Sequence, residues 1–428
     1  MSNPPPHDPP CRFAQFALLA VAAFCLYFVS SVILEARKAT THFGADSWYY
    51  AELAKGNILE RAMSDYYVDR VARFHPATVL IAAAWMQVLA PLTQWIDPRY
   101  LLKAMFAAAG AAGVWAALWG FAAVIPHRLA LLFGTIYAVS LGAWYFASIE
   151  ESKIVTASLS TLYIAAYLHL RRNWTMRGAI ILTAILLVAC LNEMVSGFLV
   201  VIPAVDTLMQ RGWGWRRDWR EDWRQVRWIG AHALAGPAAL VLIEGVMFGW
   251  LVATSHPEGS THVGMLLYYI TRNYYSVDTF YAFLLNWFLF NIAAPVREAA
   301  YQVPAFANYK GYFDPFLTNY LASPLSVGVV ILFVAIVAGA VRGRKEGLGT
   351  DTLPSIIPAL LAYSLLRGAF FFLFNPAEPL LFSPAVTMAH ILMVAIPFAA
   401  ANFPARGPLL AAFAVLLLLR NGAFIAGP

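Results

Sequence analysis

The chain has 428 residues, of which 61% are hydrophobic and only 12% charged, with a mean hydropathy of +0.65 and a formal net charge of +6. Soluble domains carry about 25% charged residues, so a soluble fold is excluded and a polytopic membrane protein is indicated. Nucleic-acid binding is excluded too, because the basic residues sit beside apolar runs as topology signals instead of covering one face.

Residues 1–12, with SNPPPHDPP, read as a short disordered cytoplasmic tail. Phe13 to Leu34 is an uncharged run of 22 residues between Arg12 and Glu35. A hydrocarbon core about 30 Å thick takes roughly 20 helical residues, so this run is one span. It is too long for a removed signal peptide, lacks a small-residue cleavage site, and reads as a signal anchor. Cys11, Cys25 and Cys190 suit neither a disulfide framework nor a zinc site. The apolar runs do not alternate with polar residues as barrel strands would.

Further apolar runs lie near 75–92, 101–126, 129–148, 154–170, 178–205, 229–253, 280–296, 322–341, 354–374, 380–402 and 407–425. The stretch RGWGWRRDWREDWRQVR (211–227) holds six arginines and belongs in the cytoplasm, as do RRNWTMR (171–177) and VRGRK (341–345). Its Trp215, Trp219 and Trp223 form one helical stripe, suited to a helix at the cytoplasmic headgroups.

Placing all three basic segments on one side fixes the parity of the rest. The run 178–205 must cross twice, turning near Asn192 and Glu193 in LNEMVSG; as a single helix it would bury Glu193 at midplane, which costs a few kcal/mol. HPATVLIAAAWMQVLAP (75–91), with proline near both ends, lies in the outer interface, and 280–296 lies along the outer face within a long outer loop, 254–321. The expected fold is an all-α polytopic membrane protein of about 11 transmembrane helices plus interfacial helices in the outer loops. It has one integral domain over 13–428, with the N-terminus inside and the C-terminal spans in 322–428.

This topology gathers the remaining ionisable residues on the outer face. The first outer loop, 35–100, contains HFGADSWYYAELAKGN and then DRVARFHP, with Asp46, Tyr49, Tyr50, Arg70, Arg73 and His75. SIEESK brings Glu150, Glu151 and Lys153; LNEMVSG brings Asn192 and Glu193; FNPAEP brings Glu378, with Arg367 about two turns below. A carrier would instead concentrate ionisable groups near midplane on broken helices, often in two related halves.

An acid just beyond the first span, tyrosines three and four residues later, a short helix, a basic stretch and a proline (Pro76) opening an interfacial helix together resemble the first outer loop of the GT-C superfamily of polytopic glycosyltransferases. SIEESK and LNEMVSG match later outer loops of that superfamily in position. The resemblance covers roughly 13–210. Ser47 stands where many members carry a second carboxylate, so no metal site is expected; a lone carboxylate holds a divalent ion poorly. The resemblance implies an enzyme of the inner membrane, active on its outer, periplasmic face. It would move a sugar from a polyprenyl-phosphate donor to a glycan, lipid or protein acceptor, without a cofactor. The rival classes are a transporter or lipid flippase, and a non-catalytic scaffold of the cell envelope.

Such transfer needs a base on the acceptor hydroxyl and positive charge beside the leaving phosphate. Asp46 is the expected base, with partial desolvation raising its pKa; the same residue suits an N-cap of the helix begun at SWYYAELA. Glu150 and Glu151 would orient acceptor or base, or form a solvated turn. Tyr49 and Tyr50 would stack on a sugar or belong to the interfacial aromatic belt. Arg70, Arg73, His75 and Lys153 would hold phosphate or headgroups. Arg367 in YSLLRGAFFF requires an anionic partner, a lipid phosphate or Glu378. Glu193 reads as a hinge before a site residue. The alanine-rich stretch 104–120 indicates close helix packing.

Overall fold

The long apolar runs fold as helices packed side by side, and no strand occurs among the described residues. The computed structural model describes residues 9–36, 47–62, 72, 74–171, 174–211, 227–247, 270–271, 275–294, 323–347, 355–376 and 379–427. In chain order the elements are α1 (Pro9–Ala36), α2 (Ser47–Leu53), α3 (Ile58–Ala62), α4 (Pro76–Val88), α5 (Pro98–Val124), α6 (His127–Val139), α7 (Leu141–Ala147), α8 (Ser152–Leu170) and α9 (Met176–Asn192). A 3-10 stretch, Met194–Val200, then runs into α10 (Val201–Arg211). They are followed by α11 (Ala235–Val241), α12 (Val277–Leu285), α13 (Pro324–Gly347), α14 (Ile356–Phe374), α15 (Thr387–Ala400) and α16 (Arg406–Ala426).

Local sequence sets several of these boundaries. Asp97 accepts a hydrogen bond from the Arg99 backbone N–H at 2.9 Å, with Pro98 at the first helical position of α5. Thr175 caps α9 through the Gly178 N–H at 3.1 Å. At the other end of α9 the chain turns extended at Glu193.

Among the described residues, six helices are long and apolar enough to cross a membrane, seven if the bent pair α6–α7 counts as one span. The expectation of about 11 is therefore corrected. Residues 154–170 do form a long helix, but α8 carries Lys153, Ser158, Ser160, Thr161 and His169 and is mostly enclosed by other helices, so its surface need not be lipid-like. The run 178–205 becomes two shorter apolar helices, Met176–Asn192 and Met194–Gln210; at 1.5 Å per residue the first is about 25 Å long, and the second opens with the 3-10 stretch. The run 229–253 is described only to residue 247 and is broken by a π-turn at Leu242–Met247. α4 has 13 residues, about 20 Å, too short to span. It buries Pro76, Ala77, Thr78, Val79 and Ala82 and leaves Leu80, Ile81 and Val88 exposed.

The expected turn at Asn192–Glu193 is present. Arg171, at the end of α8, bonds Asp206 on α10 at 2.6 and 3.0 Å, while Lys153, at the start of α8, reaches Glu193. The segment after Glu193 thus returns along the full length of α8. Asp206 is fully buried and also accepts from Tyr167 and Gln210. Arg171 further donates to Ser355 at the start of α14, at 2.7 Å. This end also holds the starts of α1 and α6, joined by Gln15 and His127. The opposite end holds the end of α1, the starts of α4, α5 and α8, and the Asn192–Glu193 turn.

α5 lies between α1 and α8, and its small residues serve that packing. A Cβ on Gly113 would sit 2.7 Å from Ser158 Oγ, which itself donates across the helix pair to the Ala109 carbonyl at 2.7 Å. α6 and α7 meet at a 54° bend at Ser140. Backbone groups freed by that bend are satisfied inside the protein. Leu141 and Gly142 N–H donate to the carbonyls of Ile292 and Asn291 at 3.1 and 2.8 Å, and the Val139 carbonyl accepts from Asn421 Nδ2 at 2.7 Å.

α13 crosses α15 at Gly343, where an added Cβ would overlap the Pro397 carbonyl and lie 2.7 Å from the Ala401 nitrogen. Both neighbours are backbone and cannot rotate away. Gly343→Ala is expected to destabilise the protein by about 1–3 kcal/mol, read as a lower melting temperature in detergent. An unchanged midpoint would contradict this close approach.

Candidate functional site

At the end of the bundle holding the Asn192–Glu193 turn, five chain segments bring ionisable side chains together out of water. Arg367 lies about two turns from the end of α14 and is fully buried. Its side chain cannot shed its proton, so burial demands an anion. The anion is Glu193, whose Oε2 accepts from Arg367 Nη2. The other carboxylate oxygen, Oε1, takes Lys153 Nζ at 3.1 Å. One carboxylate therefore bridges two buried cations from α8 and α14.

Aromatic rings complete the enclosure. The Arg367 guanidinium lies over the Phe371 ring at 5.0 Å, and Lys153 Nζ lies over Phe382 at 4.8 Å. The two phenyl rings stack on each other with centroids 3.9 Å apart. Arg367 Nε and Nη1 find no hydrogen-bond partner among the described residues. Burial alone would push the Glu193 carboxyl up, but Arg367 and then Lys153 outweigh it and hold it down at about 2.

Asn192, adjacent in sequence and fully buried, ties this turn to two more elements. Its Oδ1 accepts from the Thr78 N–H at 3.0 Å and from Thr78 Oγ1 at 2.5 Å; its Nδ2 donates to Thr156 Oγ1 at 2.8 Å and the Ser152 carbonyl at 3.3 Å. His75 Nδ1 lies 2.7 Å from the Asn192 carbonyl, which can only accept, so that nitrogen carries the proton. The start of α4 is thereby fastened to the hairpin turn.

A second charged cluster abuts the first. Lys103, fully buried near the start of α5, has Nζ 2.8 Å from Glu150 Oε1 and 3.5 Å from Glu35 Oε2. Glu35 also pairs with Arg99 at 2.6 Å. This ladder joins the end of α1, the start of α5 and the turn before α8. Glu151 is fully buried, and its Oε1 accepts from Ser152 Oγ at 3.0 Å.

Of the residues singled out in the sequence, the structure thus brings His75, Glu150, Glu151, Lys153 and Arg367 to one end of the bundle. Tyr50 is buried edge-on against Phe106 at 5.4 Å, inside the packing of the first loop against α5; Tyr49, its neighbour on α2, is half-buried. Asp46, Arg70 and Arg73 lie outside the described residues, and so does Glu378, the other partner considered for Arg367. Neither a protein-family model nor a curated protein sequence matches the chain.

Glu193 ends α9 at the expected turn, and its carboxylate pairs with Arg367 and Lys153. Lys103, Glu35 and Arg99 were not singled out. Lys103 did carry a signal, since a lysine beside a long apolar helical run must find a carboxylate or reach water.

Lys103→Met would leave Glu150 buried without a cation, an effect on the order of 3–5 kcal/mol. Adding Glu150→Gln should recover part of that loss, so the double variant melts above Lys103→Met alone; strictly additive effects would show that the pair is not coupled. Glu193 also makes a pH prediction. Its folded-state pKa of about 2 lies below the ordinary 4.5, so its stabilisation is present above about 4.5 and lost as pH falls toward 2. The gap in melting temperature between the parent protein and Glu193→Gln should narrow across that window and stay constant above it.

Proposed function

We propose that the chain is a GT-C-like glycosyltransferase of a bacterial-type inner membrane, moving a sugar from a polyprenyl phosphate to an acceptor on the outer face. The observation that carries this reading is the buried pair Lys153 and Arg367 with a single shared carboxylate, Glu193. Two buried cations share that one carboxylate, and Arg367 keeps two nitrogens without partners among the described residues. A phosphate at the membrane surface answers both features, and positive charge beside a phosphate leaving group stabilises the charge that develops as the sugar departs.

The division of labour follows from the pairings. Glu193 is held by two cations, which makes it a poor proton acceptor. In this reading Asp46 is the base, with Glu150 and Glu151 as orienting carboxylates. Arg70 and Arg73 precede His75 in the sequence, and in this reading all three line the approach of the donor's headgroup. The basic segments near 171–177 and 341–345, which belong to the end of the bundle opposite the charged cluster, would face the cytoplasm under the positive-inside rule. The N-terminus is cytoplasmic and the active face periplasmic in this reading.

A transporter would use its broken helices to expose backbone groups to a passing solute. The α6–α7 break is instead filled by Asn421 and the 291–292 backbone, which favours surface chemistry over passage.

The test is a strain expressing only Asp46→Asn or Arg367→Lys, with surface glycans profiled by mass spectrometry. Loss of a base should slow transfer by about 10²–10⁴-fold. Replacing the guanidinium fork by a point charge should deplete the same glycan. Unchanged glycans in both strains at normal protein levels would remove the reading.

A further inference from the structure

The guanidinium of Arg367 has two forked edges, Nε with Nη2 and Nη1 with Nη2, and Nη2 belongs to both. Glu193 holds Nη2 through Oε2. Nε and Nη1 are the nitrogens left without partners among the described residues. That carboxylate oxygen takes one of the two N–H groups of Nη2 and so closes one of the edges through which arginine grips a phosphate with two parallel bonds, while its negative charge opposes a phosphate at the other. Glu193 has a second place to go, because its Oε1 already bonds Lys153 Nζ at 3.1 Å.

We infer that Glu193 is an exchangeable counter-ion: it stabilises Arg367 while the site is empty, and a phosphate takes its place on Nη2 while Glu193 withdraws onto Lys153. This rests on the anion-site part of the reading above. The exchange keeps the buried guanidinium paired with an anion throughout, and Lys153 keeps Glu193 from being stranded. Glu193 then acts as an internal competitor that sets the affinity for phosphate. The ligand class is a phosphate monoester or diester anion, either lipid-borne or free.

Purified full-length protein in detergent would be titrated with farnesyl phosphate and, separately, with inorganic phosphate. Removing the competitor in Glu193→Gln should tighten binding by about tenfold or more, and ligand should raise the melting temperature further than in the parent. Tightening with farnesyl phosphate alone assigns the site to a lipid-borne phosphate; tightening with both assigns it to any phosphate. Glu150→Gln, which removes a nearby negative charge without touching Arg367, should change affinity much less, and equal tightening would reduce the effect to general electrostatics and overturn the exchange. Glu193→Asp, whose shorter side chain cannot bridge both cations, should shift affinity in the same direction and serves if the Gln variant fails to fold. Arg367→Met should abolish binding in either background. If the parent binds and neither Glu193 variant binds more tightly, the exchange is refuted while the anion site stands. No binding by any of them refutes the anion site as well.

Discussion

Arg367 cannot be neutralised, and it sits in a helix whose neighbours are almost all apolar. Everything at this end of the bundle follows from supplying it with an anion. The nearest way is a carboxylate at the turn of a helical hairpin, where the chain changes direction and a side chain can point back between helices. Glu193 fills that place, and its spare oxygen draws in Lys153 from α8. The neighbouring Asn192 then has four hydrogen-bonding capacities to satisfy out of water, and meets them with α4 and α8. One obligatory charge thus fixes the relative positions of α4, α8, the α9 hairpin and α14.

The arrangement is costly for a protein that needs only stability. A buried ion pair is often no better than a well-packed apolar replacement of the same volume. Here three full charges share the space with two stacked phenyl rings, Phe371 lying 5.0 Å from the Arg367 guanidinium and Phe382 4.8 Å from Lys153 Nζ. A hydrophobic substitution of the whole group would be simpler to pack. In the Lys103–Glu150–Glu35–Arg99 ladder two cations meet two carboxylates, whereas Lys153 and Arg367 share one.

Much of this architecture was legible in the chain because membrane chemistry makes a few residues decisive. The hairpin at Asn192–Glu193 followed from the length of the 178–205 run and the need to keep basic loops on one side, and the Arg171–Asp206 contact closes it at the far end. Arg367 announced its need for an anion, but not which one, since pairing between residues 174 apart leaves no local trace. The span count failed for a different reason. Hydropathy measures contact with lipid, whereas α8 is enclosed by protein and can carry serine, threonine and lysine at no penalty. Lys103 was passed over because it stands at the edge of an apolar run, where a lysine ordinarily reaches water; α1 and the turn after α7 close over it instead. Tyr50 shows the limit of composition at an interface, where aromatic anchors, sugar platforms and core rings look alike until packing against Phe106 separates them.

The bend between α6 and α7 connects the apolar interior to this charged end. A continuous helix through Ser140 would carry residues 141–151 along the α6 axis, whereas the 54° turn redirects α7 toward α1 and α5. Such a bend exposes carbonyls and amides inside an apolar bundle, which is tolerable only if polar partners arrive from elsewhere. Asn421 supplies them from α16, and Asn291 with Ile292 from the chain after α12. Glu150 then emerges at the end of α7 directly against Lys103. Two asparagines distant in sequence thus help determine where the acidic turn lies, so that the position of the charged cluster depends on polar packing along the bundle as much as on the ion pairs themselves.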